Sequence, residues 1–163
     1  MMNNNDSTQA VKQPVPLSEK VTKDGDGCVD AAALERANAV MSELSGDYLE
    51  WVQDDIDRIY TSLNELKNNT EAPLDSLNKI FKVAHEMKGQ GGCFGYGLIT
   101  RLGNDLCRFI EGVKNLNSRD IKIIELYIDA MKVIISSRMS GDENQEGLSV
   151  VEGLGSVVAK LTN

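Results

Sequence analysis

The sequence predicts an all-α protein: an antiparallel four-helix bundle with an additional short helix at its N-terminal end and another helix at its C-terminal end. Apolar residues recur three and four positions apart along most of the chain, which is typical of amphipathic helices. The period-two alternation that indicates strands never persists. The long helical segments have comparable lengths and short connections, so an antiparallel bundle over about residues 46–138 is the economical arrangement.

The composition fits one globular domain and limits the classes of function. The chain has 163 residues, of which 41% are hydrophobic and 26% charged, and this excludes collagen, a disulfide scaffold and a wholly disordered chain. A net charge of −8 disfavours nucleic acid and anionic membranes as partners. The three cysteines form no C-x-x-C pair, and no run resembles a membrane span or an export signal, so we expect a cytoplasmic protein.

The N-terminal part is expected to be a tail followed by a lid. Residues 1–27 are polar and end in the turn-like KDGDG, which predicts a flexible tail before a single domain over 28–163. A short helix capped by Asp30 is expected to act as a lid on the bundle. Its apolar face would consist of Leu34, Ala37, Val40, Met41 and Leu44.

The first two bundle helices follow from apolar spacing and from their first residues. Gly46 is expected to separate the lid from a helix that begins at Asp47 and carries Leu49, Val52, Ile56, Ile59, Leu63 and Leu66. The second helix begins near Pro73, because proline suits the first turn of a helix. Its inward residues are Leu77, Ile80, Ala84, Met87 and Phe94.

The remaining helices show the same alternation. The third begins at about Tyr96, and Ser118 is the predicted N-cap of the fourth, with Asp120 favourable in its first turn. A final helix is indicated by Leu148, Val151, Leu154, Val158 and Leu161.

The chain has one histidine, His85, midway along the second bundle helix. At about 100° per residue, the apolar residues of that helix lie on the opposite side, so we expect His85 to face solvent. Residues three, four and seven positions away share its face. They are Asn78, Phe81, Lys82, Lys88, Gly89 and Gly92.

The residues around His85 suggest phosphoryl transfer. A glycine in a helix interior costs about 1 kcal/mol relative to alanine, so Gly89, Gly91 and Gly92 need another explanation. Gly89 and Gly92 would leave room for a protein to approach the imidazole, whereas Gly91 is better explained by close helix packing. A neutral imidazole offers a lone pair for nucleophilic attack, and Lys88 would stabilise the charge of an arriving phosphoryl group.

The run His85-x-x-Lys88-Gly89, followed by Gly95, resembles the signature of histidine-containing phosphotransfer (HPt) domains of bacterial phosphorelays. The similarity extends along the next helix through Leu102, Leu106 and Glu111. The resemblance implies that Nε2 of His85 accepts a phosphoryl group from the aspartate of a receiver domain and passes it to another receiver. It also implies that Lys88 offsets charge on the phosphoryl oxygens and that Gly89 gives the receiver's loops room.

The resemblance further implies which partners and cofactors to expect. The partners would be response regulators or the receiver domain of a hybrid histidine kinase, docking on a monomer at Asn78, Phe81, Lys82 and Gly92. Mg²⁺ belongs to the receiver in this family, so we expect no metal and no cofactor on this chain. Cys107 stands where some family members carry a glutamine that hydrogen-bonds the histidine, so other groups would have to orient His85.

Two alternatives remain open. His85-Glu86 is also a common pattern in the phosphoacceptor and dimerisation region of sensor histidine kinases. Glu86 is then either a general base or a solvated helix charge, and the solvated charge is favoured because charged surface residues seldom do chemistry. The sequence contains no Gly-rich phosphate loop and no α/β nucleotide-binding segment, so we expect no autokinase activity. A non-enzymatic helical adaptor that binds a partner helix through Phe81 is the third possibility, but it leaves Lys88 and the glycines unexplained.

Overall fold

The computed structural model describes residues 31–68, 73–141 and 144–162, and this described part is all-α, as predicted, with no strand. Its helices are α1 (Ala31–Asn68), α2 (Pro73–Cys93), α3 (Gly97–Gly112), α4 (Ser118–Ser136) and α5 (Gln145–Thr162). None of these described helices combines the length and apolarity that a membrane crossing needs. The predicted tail over 1–27 and the predicted cap Asp30 lie outside the described residues.

The prediction of a helix break at Gly46 is wrong, because the predicted lid and the first bundle helix form one continuous helix of 38 residues. Glycine weakens a helix by about 1 kcal/mol but keeps its N–H donor, so it does not interrupt the hydrogen-bond ladder as proline does. The change visible along α1 is in burial. Leu34 and Val40 are exposed, whereas Tyr48 is fully buried.

Neighbouring helices run antiparallel, as their side-chain pairs show. As the residue number rises along α1, the number of the paired residue falls along α2 and along α4. The same opposite order holds for the pairs between α2 and α3. The pairs are Arg58 with Glu86 and Glu65 with Lys79 for α1–α2, Tyr60 with Asp129 and Lys67 with Glu125 for α1–α4, and Phe81 with Cys107 and Lys88 with Thr100 for α2–α3. Helices α1 to α4 therefore form the predicted antiparallel bundle.

The core lies between the apolar faces of these four helices. Its largest fully buried side chains are Tyr48, Ile56, Ile59, Leu63, Ile80, Met87, Ile99, Leu102, Leu106, Ile123, Ile124 and Ile128. Burial of each aliphatic side chain of this size contributes about 1.5–3 kcal/mol. The predicted final helix is confirmed as α5, which packs outside the bundle, where Gly147 approaches Leu98 of α3 and Ile134 of α4 closely.

A glycine turn connects α2 to α3 and fixes the end of the helix that carries His85. The N–H of Tyr96 donates to the carbonyl of Gly91 at 2.7 Å, and Gly95 has a φ of +78°. This is a Schellman ending, whose left-handed position favours glycine. The Gly95 carbonyl also accepts the N–H of Gly141 at 2.7 Å, which ties this turn to the segment that follows α4.

The N-cap of α4 is Asn117 and not the predicted Ser118. Asn117 has an extended backbone, and its side chain accepts the N–H groups of Arg119 and Asp120. The carboxylate of Asp120 accepts the N–H of Asn117, which completes a capping box. Ser118 is already helical, so it cannot serve as the cap. The prediction that Asp120 lies in the first turn is confirmed.

Candidate functional site

His85 lies on the solvent side of α2, as its spacing from the buried residues predicts. Its imidazole is exposed, while Val83, Ala84 and Met87 of the same helix are buried. The ring of Phe81, one turn earlier, stacks against the imidazole with 6.1 Å between centroids and 23° between planes. Within the described part of the chain no hydrogen bond reaches the imidazole, so both ring nitrogens are open to a partner.

The imidazole borders a surface pocket of about 480 Å³ between α2 and α3. Three of the residues predicted to share its face, Phe81, Lys82 and Lys88, line this pocket with it. The other lining residues are Glu86 of α2 and Asn104, Cys107, Arg108 and Glu111 of α3. Sequence reasoning did not place Asn104 and Arg108 in this pocket, because only the register of α3 against α2 brings them beside the histidine.

Gly103 allows α3 to approach α2 directly behind the histidine. A Cβ at this position would lie 2.9 Å from the carbonyl oxygen of Ala84 and 2.9 Å from Cβ of Lys88. The hydroxyl of Thr100 also donates to the carbonyl of Lys88 at 3.0 Å. Sequence reasoning missed Gly103, although a glycine in the middle of an otherwise apolar helix face is the feature that would have revealed it.

Cys107 anchors α3 on the other side of His85. It is buried, and its thiol donates a weak hydrogen bond to the carbonyl of Phe81 at 3.9 Å. Burial raises the pKa of this thiol, the nearby charge of Lys88 opposes the rise and that of Glu111 adds to it. The thiol is therefore protonated near neutral pH. Its hydrogen bond goes to the backbone, which fits the expectation that Cys107 does not orient the imidazole.

The pocket collects cations that have no carboxylate partner. Among the described residues, no carboxylate lies within 4 Å of the charged groups of Lys82, Lys88 or Arg108. Glu111 is the carboxylate on the α3 side. The balance of charge around His85 is thus positive, although the whole chain carries −8.

Glu86 belongs to a different contact, on the side of α2 that faces α1. Its carboxylate lies 3.4 Å from Nη1 of Arg58, which also donates to Asp55 at 2.6 Å. Asp55 is buried, and burial raises its pKa against the lowering effect of Arg58. Glu86 is therefore an exposed residue with an ion-pair partner on α1, and this pairing points its carboxylate toward α1.

The glycines near His85 have different surroundings. A Cβ on Gly89 would meet no atom within 4 Å, whereas one on Gly91 would lie 2.9 Å from the carbonyl oxygen of Tyr96. The prediction that Gly91 serves close packing is therefore confirmed. Gly92 is exposed and lies near Thr100, outside the His85 pocket. Asn78 is exposed on α2 and does not line the pocket either.

Comparisons with known proteins give one similarity. The chain is 28% identical over 112 residues to a protein of Helicobacter pylori (strain ATCC 700392 / 26695) named sensor histidine kinase CheAY. The aligned part covers 66% of this chain and 14% of that protein, so the chain corresponds to a small part of the relative. No family model matches the chain, and no solved structure matches it.

Proposed function

We propose that this chain is a histidine phosphotransfer protein that accepts a phosphoryl group on His85 from the aspartate of a receiver domain and passes it to another receiver. The observation that carries the proposal is the exposed imidazole at the edge of a pocket lined by three cations without carboxylate partners. An exposed imidazole without internal hydrogen bonds is available as a nucleophile. The surrounding cations stabilise negative charge that arrives with the phosphoryl group.

In the transfer step, Nε2 of the neutral imidazole attacks the phosphorus of the aspartyl phosphate. The new P–N bond forms as the P–O bond to the aspartate breaks, and that electron pair leaves as a carboxylate on the receiver. The proton on the other ring nitrogen stays in place. Mg²⁺ held by the receiver would supply neutralisation of phosphoryl charge. In the reverse step the aspartate carboxylate of the next receiver attacks the phosphorus, the P–N bond breaks, and its electron pair returns to Nε2 of His85.

Lys88, Gly89 and a docking surface on α2 have roles in this proposal. Lys88 stabilises the charge of the phosphoryl oxygens during transfer, when the group is held by neither protein fully. Gly89 leaves open space on the same face, which the loops of the receiver can occupy. The receiver docks on the surface that includes Asn78, Phe81, Lys82 and Gly92.

The similarity to a sensor histidine kinase supports a role in two-component signalling. It also favours a second candidate, in which His85 is the phosphoacceptor of a kinase and receives its phosphoryl group from ATP. The two candidates share the acceptor residue and differ in the donor. An experiment that distinguishes them must therefore vary the phosphoryl donor.

The test is labelling with radioactive phosphate from two sources. Purified wild-type protein and His85→Gln are incubated with a phosphorylated receiver domain and Mg²⁺, and separately with ATP and Mg²⁺ alone. We expect acid-labile, alkali-stable label on wild type, only from the receiver, and none on His85→Gln. Circular dichroism and urea unfolding of both proteins confirm that the variant is folded.

Each other outcome changes the assignment. Label from ATP alone would move the chain to the kinase class. Label on His85→Gln would place the acceptor elsewhere. If a broad panel of phosphorylated receivers leaves folded wild type unlabelled, the phosphotransfer proposal fails and a helical adaptor becomes the leading explanation.

A further inference from the structure

We propose that Arg108 of α3 is a second phosphoryl-binding residue, which holds the phosphoryl group on His85 from the side opposite the α2 backbone. The inference rests on the proposed function in one respect, namely that His85 is the residue that carries the group. It adds a ligand from a different helix. On this proposal the phosphohistidine is held between α2 and α3 and does not project freely into solvent.

The first argument is geometric. Arg108 lines the same pocket as His85, but from α3, and its side chain is exposed. It directly follows Cys107, whose thiol meets the carbonyl of Phe81, the residue whose ring stacks on the imidazole. The contact of the Cys107 thiol with the α2 backbone therefore holds this part of α3 beside the part of α2 that carries His85.

The close approach of the two helices fixes this arrangement from the other side as well. Gly103 has no side chain to separate the helices, and a Cβ there would lie 2.9 Å from Cβ of Lys88. Thr100 binds the carbonyl of Lys88 at 3.0 Å. Lys88 and Arg108 are thus placed on adjacent helices around one histidine.

The second argument is electrostatic. Within the described residues Arg108 has no ion-pair partner, and Glu111, one turn later on α3, is the α3 carboxylate of the pocket. Arg58 shows the opposite situation, because it is engaged by Asp55 and Glu86. A free guanidinium is available to an incoming anion, and its planar pair of N–H donors matches two phosphoryl oxygens.

The test uses the single histidine of the chain and needs no receiver. Phosphoramidate is a small donor that phosphorylates imidazoles: a P–N bond to the ring forms, the P–N bond to the amino group breaks, and ammonia leaves with a solvent proton. The ³¹P resonance of the phosphohistidine then gives the pKa of the phosphoryl group. The variants are Arg108→Gln and Arg108→Lys, and Arg101→Gln is the matched control, an exposed arginine of the same helix that lines a different pocket.

We expect Arg108→Gln to raise the phosphoryl pKa by about 0.5 unit, because a nearby cation favours the dianion. Arg108→Lys should give a smaller rise, since the charge remains while the paired donors are lost. Arg101→Gln should match wild type. The same variants are then compared in transfer from a phosphorylated receiver, where Arg108→Gln should lower the maximal rate by about tenfold with little change in the half-saturating receiver concentration.

Equal phosphoryl pKa values in Arg108→Gln and Arg101→Gln would overturn the inference and leave the phosphotransfer proposal intact. A raised half-saturating concentration with an unchanged maximal rate would also overturn it, because Arg108 would then bind the receiver. If the pKa shift appears but no receiver transfers to wild type, the phosphoryl site stands and the phosphotransfer proposal fails. A folded wild type whose His85 resists phosphoramidate would contradict the inference.

Discussion

The α1–α4 side of the bundle and the α2–α3 side hold their helices together in different ways. Between α1 and α4, Lys67 pairs with Glu125 at 2.6 Å, and the hydroxyl of Tyr60 donates to Asp129 at 2.5 Å. Glu125 also accepts from Lys122 at 3.0 Å. Polar side chains thus bridge these helices, and the charge of Glu125 is paired with two lysines.

Between α2 and α3, the close approach instead depends on glycines, which have no side chain to separate the helices. At Gly103 and Gly91 an added Cβ would lie about 2.9 Å from a backbone carbonyl oxygen, of Ala84 and of Tyr96 respectively, and the hydroxyl of Thr100 donates to the carbonyl of Lys88. The cations of this side, Lys82, Lys88 and Arg108, make no ion pairs within the described residues. The difference shows that one side uses its charges for cohesion, whereas the other leaves its charges available to a ligand.

The largest effect is expected from filling the glycine contact behind His85. Gly103→Ala would force its new methyl group against Ala84 and Lys88, so we expect the free energy of unfolding to fall by about 2 kcal/mol. Urea denaturation measures it. Gly46→Ala is the matched control, because its Cβ would meet nothing within 4 Å. This substitution should stabilise α1 by about 1 kcal/mol, because alanine favours a helix more than glycine does. Stabilisation in both variants would contradict the close-packing explanation.

The next effect concerns the available charge of Lys88. We expect Lys88→Ala to slow the maximal rate of phosphotransfer by about tenfold, because a cation aimed at the developing charge acts mainly in the transition state. The half-saturating receiver concentration should change less. Rapid-quench measurements across receiver concentrations separate the two quantities. Transfer kinetics equal to those of wild type would show that Lys88 does not act on the phosphoryl group.

Replacing Gly89 by alanine should raise the stability of the protein and slow phosphotransfer. Its added Cβ would meet no atom of the chain, so Gly89→Ala should raise the free energy of unfolding by about 0.5–1 kcal/mol. We expect slower transfer from the receiver, because the methyl group occupies space that the partner needs. Urea denaturation and transfer assays on the same preparation check both signs. Unchanged transfer would show that the receiver does not approach Gly89 closely.

The smallest effect is expected on the ion-paired side. Hydrogen bonds from Lys67 and Lys122 lower the pKa of Glu125, so its charged form contributes stability above the pKa of the unfolded chain. That contribution is lost as the pH falls through the lowered folded-state pKa. Because the lysines are partly exposed, Glu125→Gln should cost less than about 1 kcal/mol at pH 7.

The measurement is urea unfolding of wild type and Glu125→Gln between pH 7 and pH 3, with Glu152→Gln as an exposed control on α5. The difference between wild type and Glu125→Gln should shrink toward zero at acidic pH. A difference that grows at low pH would contradict the assigned sign. A difference that is the same at every pH would show that the ion pairs contribute nothing measurable.

Local sequence patterns predicted much of this protein. The spacing of apolar residues located α2 to α5, and the position of His85 relative to Met87 and Val83 predicted its exposure. Both predictions depend only on the helical period, which is a local property of the chain. The cap predicted at Ser118 and the break predicted at Gly46 both concern the residue at which a helix begins or ends. At such positions the free energies of the alternatives differ by only about 1 kcal/mol, so the local sequence decides them poorly.

The tertiary structure alone decided what surrounds His85. The approach of Gly103 to Lys88, the stacking of Phe81 on the imidazole and the arrival of Arg108 in the same pocket all require the register of α2 against α3 or a side-chain conformation on α2. The sequence by itself determined the all-α fold and the solvent side of the histidine, because each helix carries its own periodic pattern. It could not determine the cationic pocket, because that pocket depends on the packing of one helix against another.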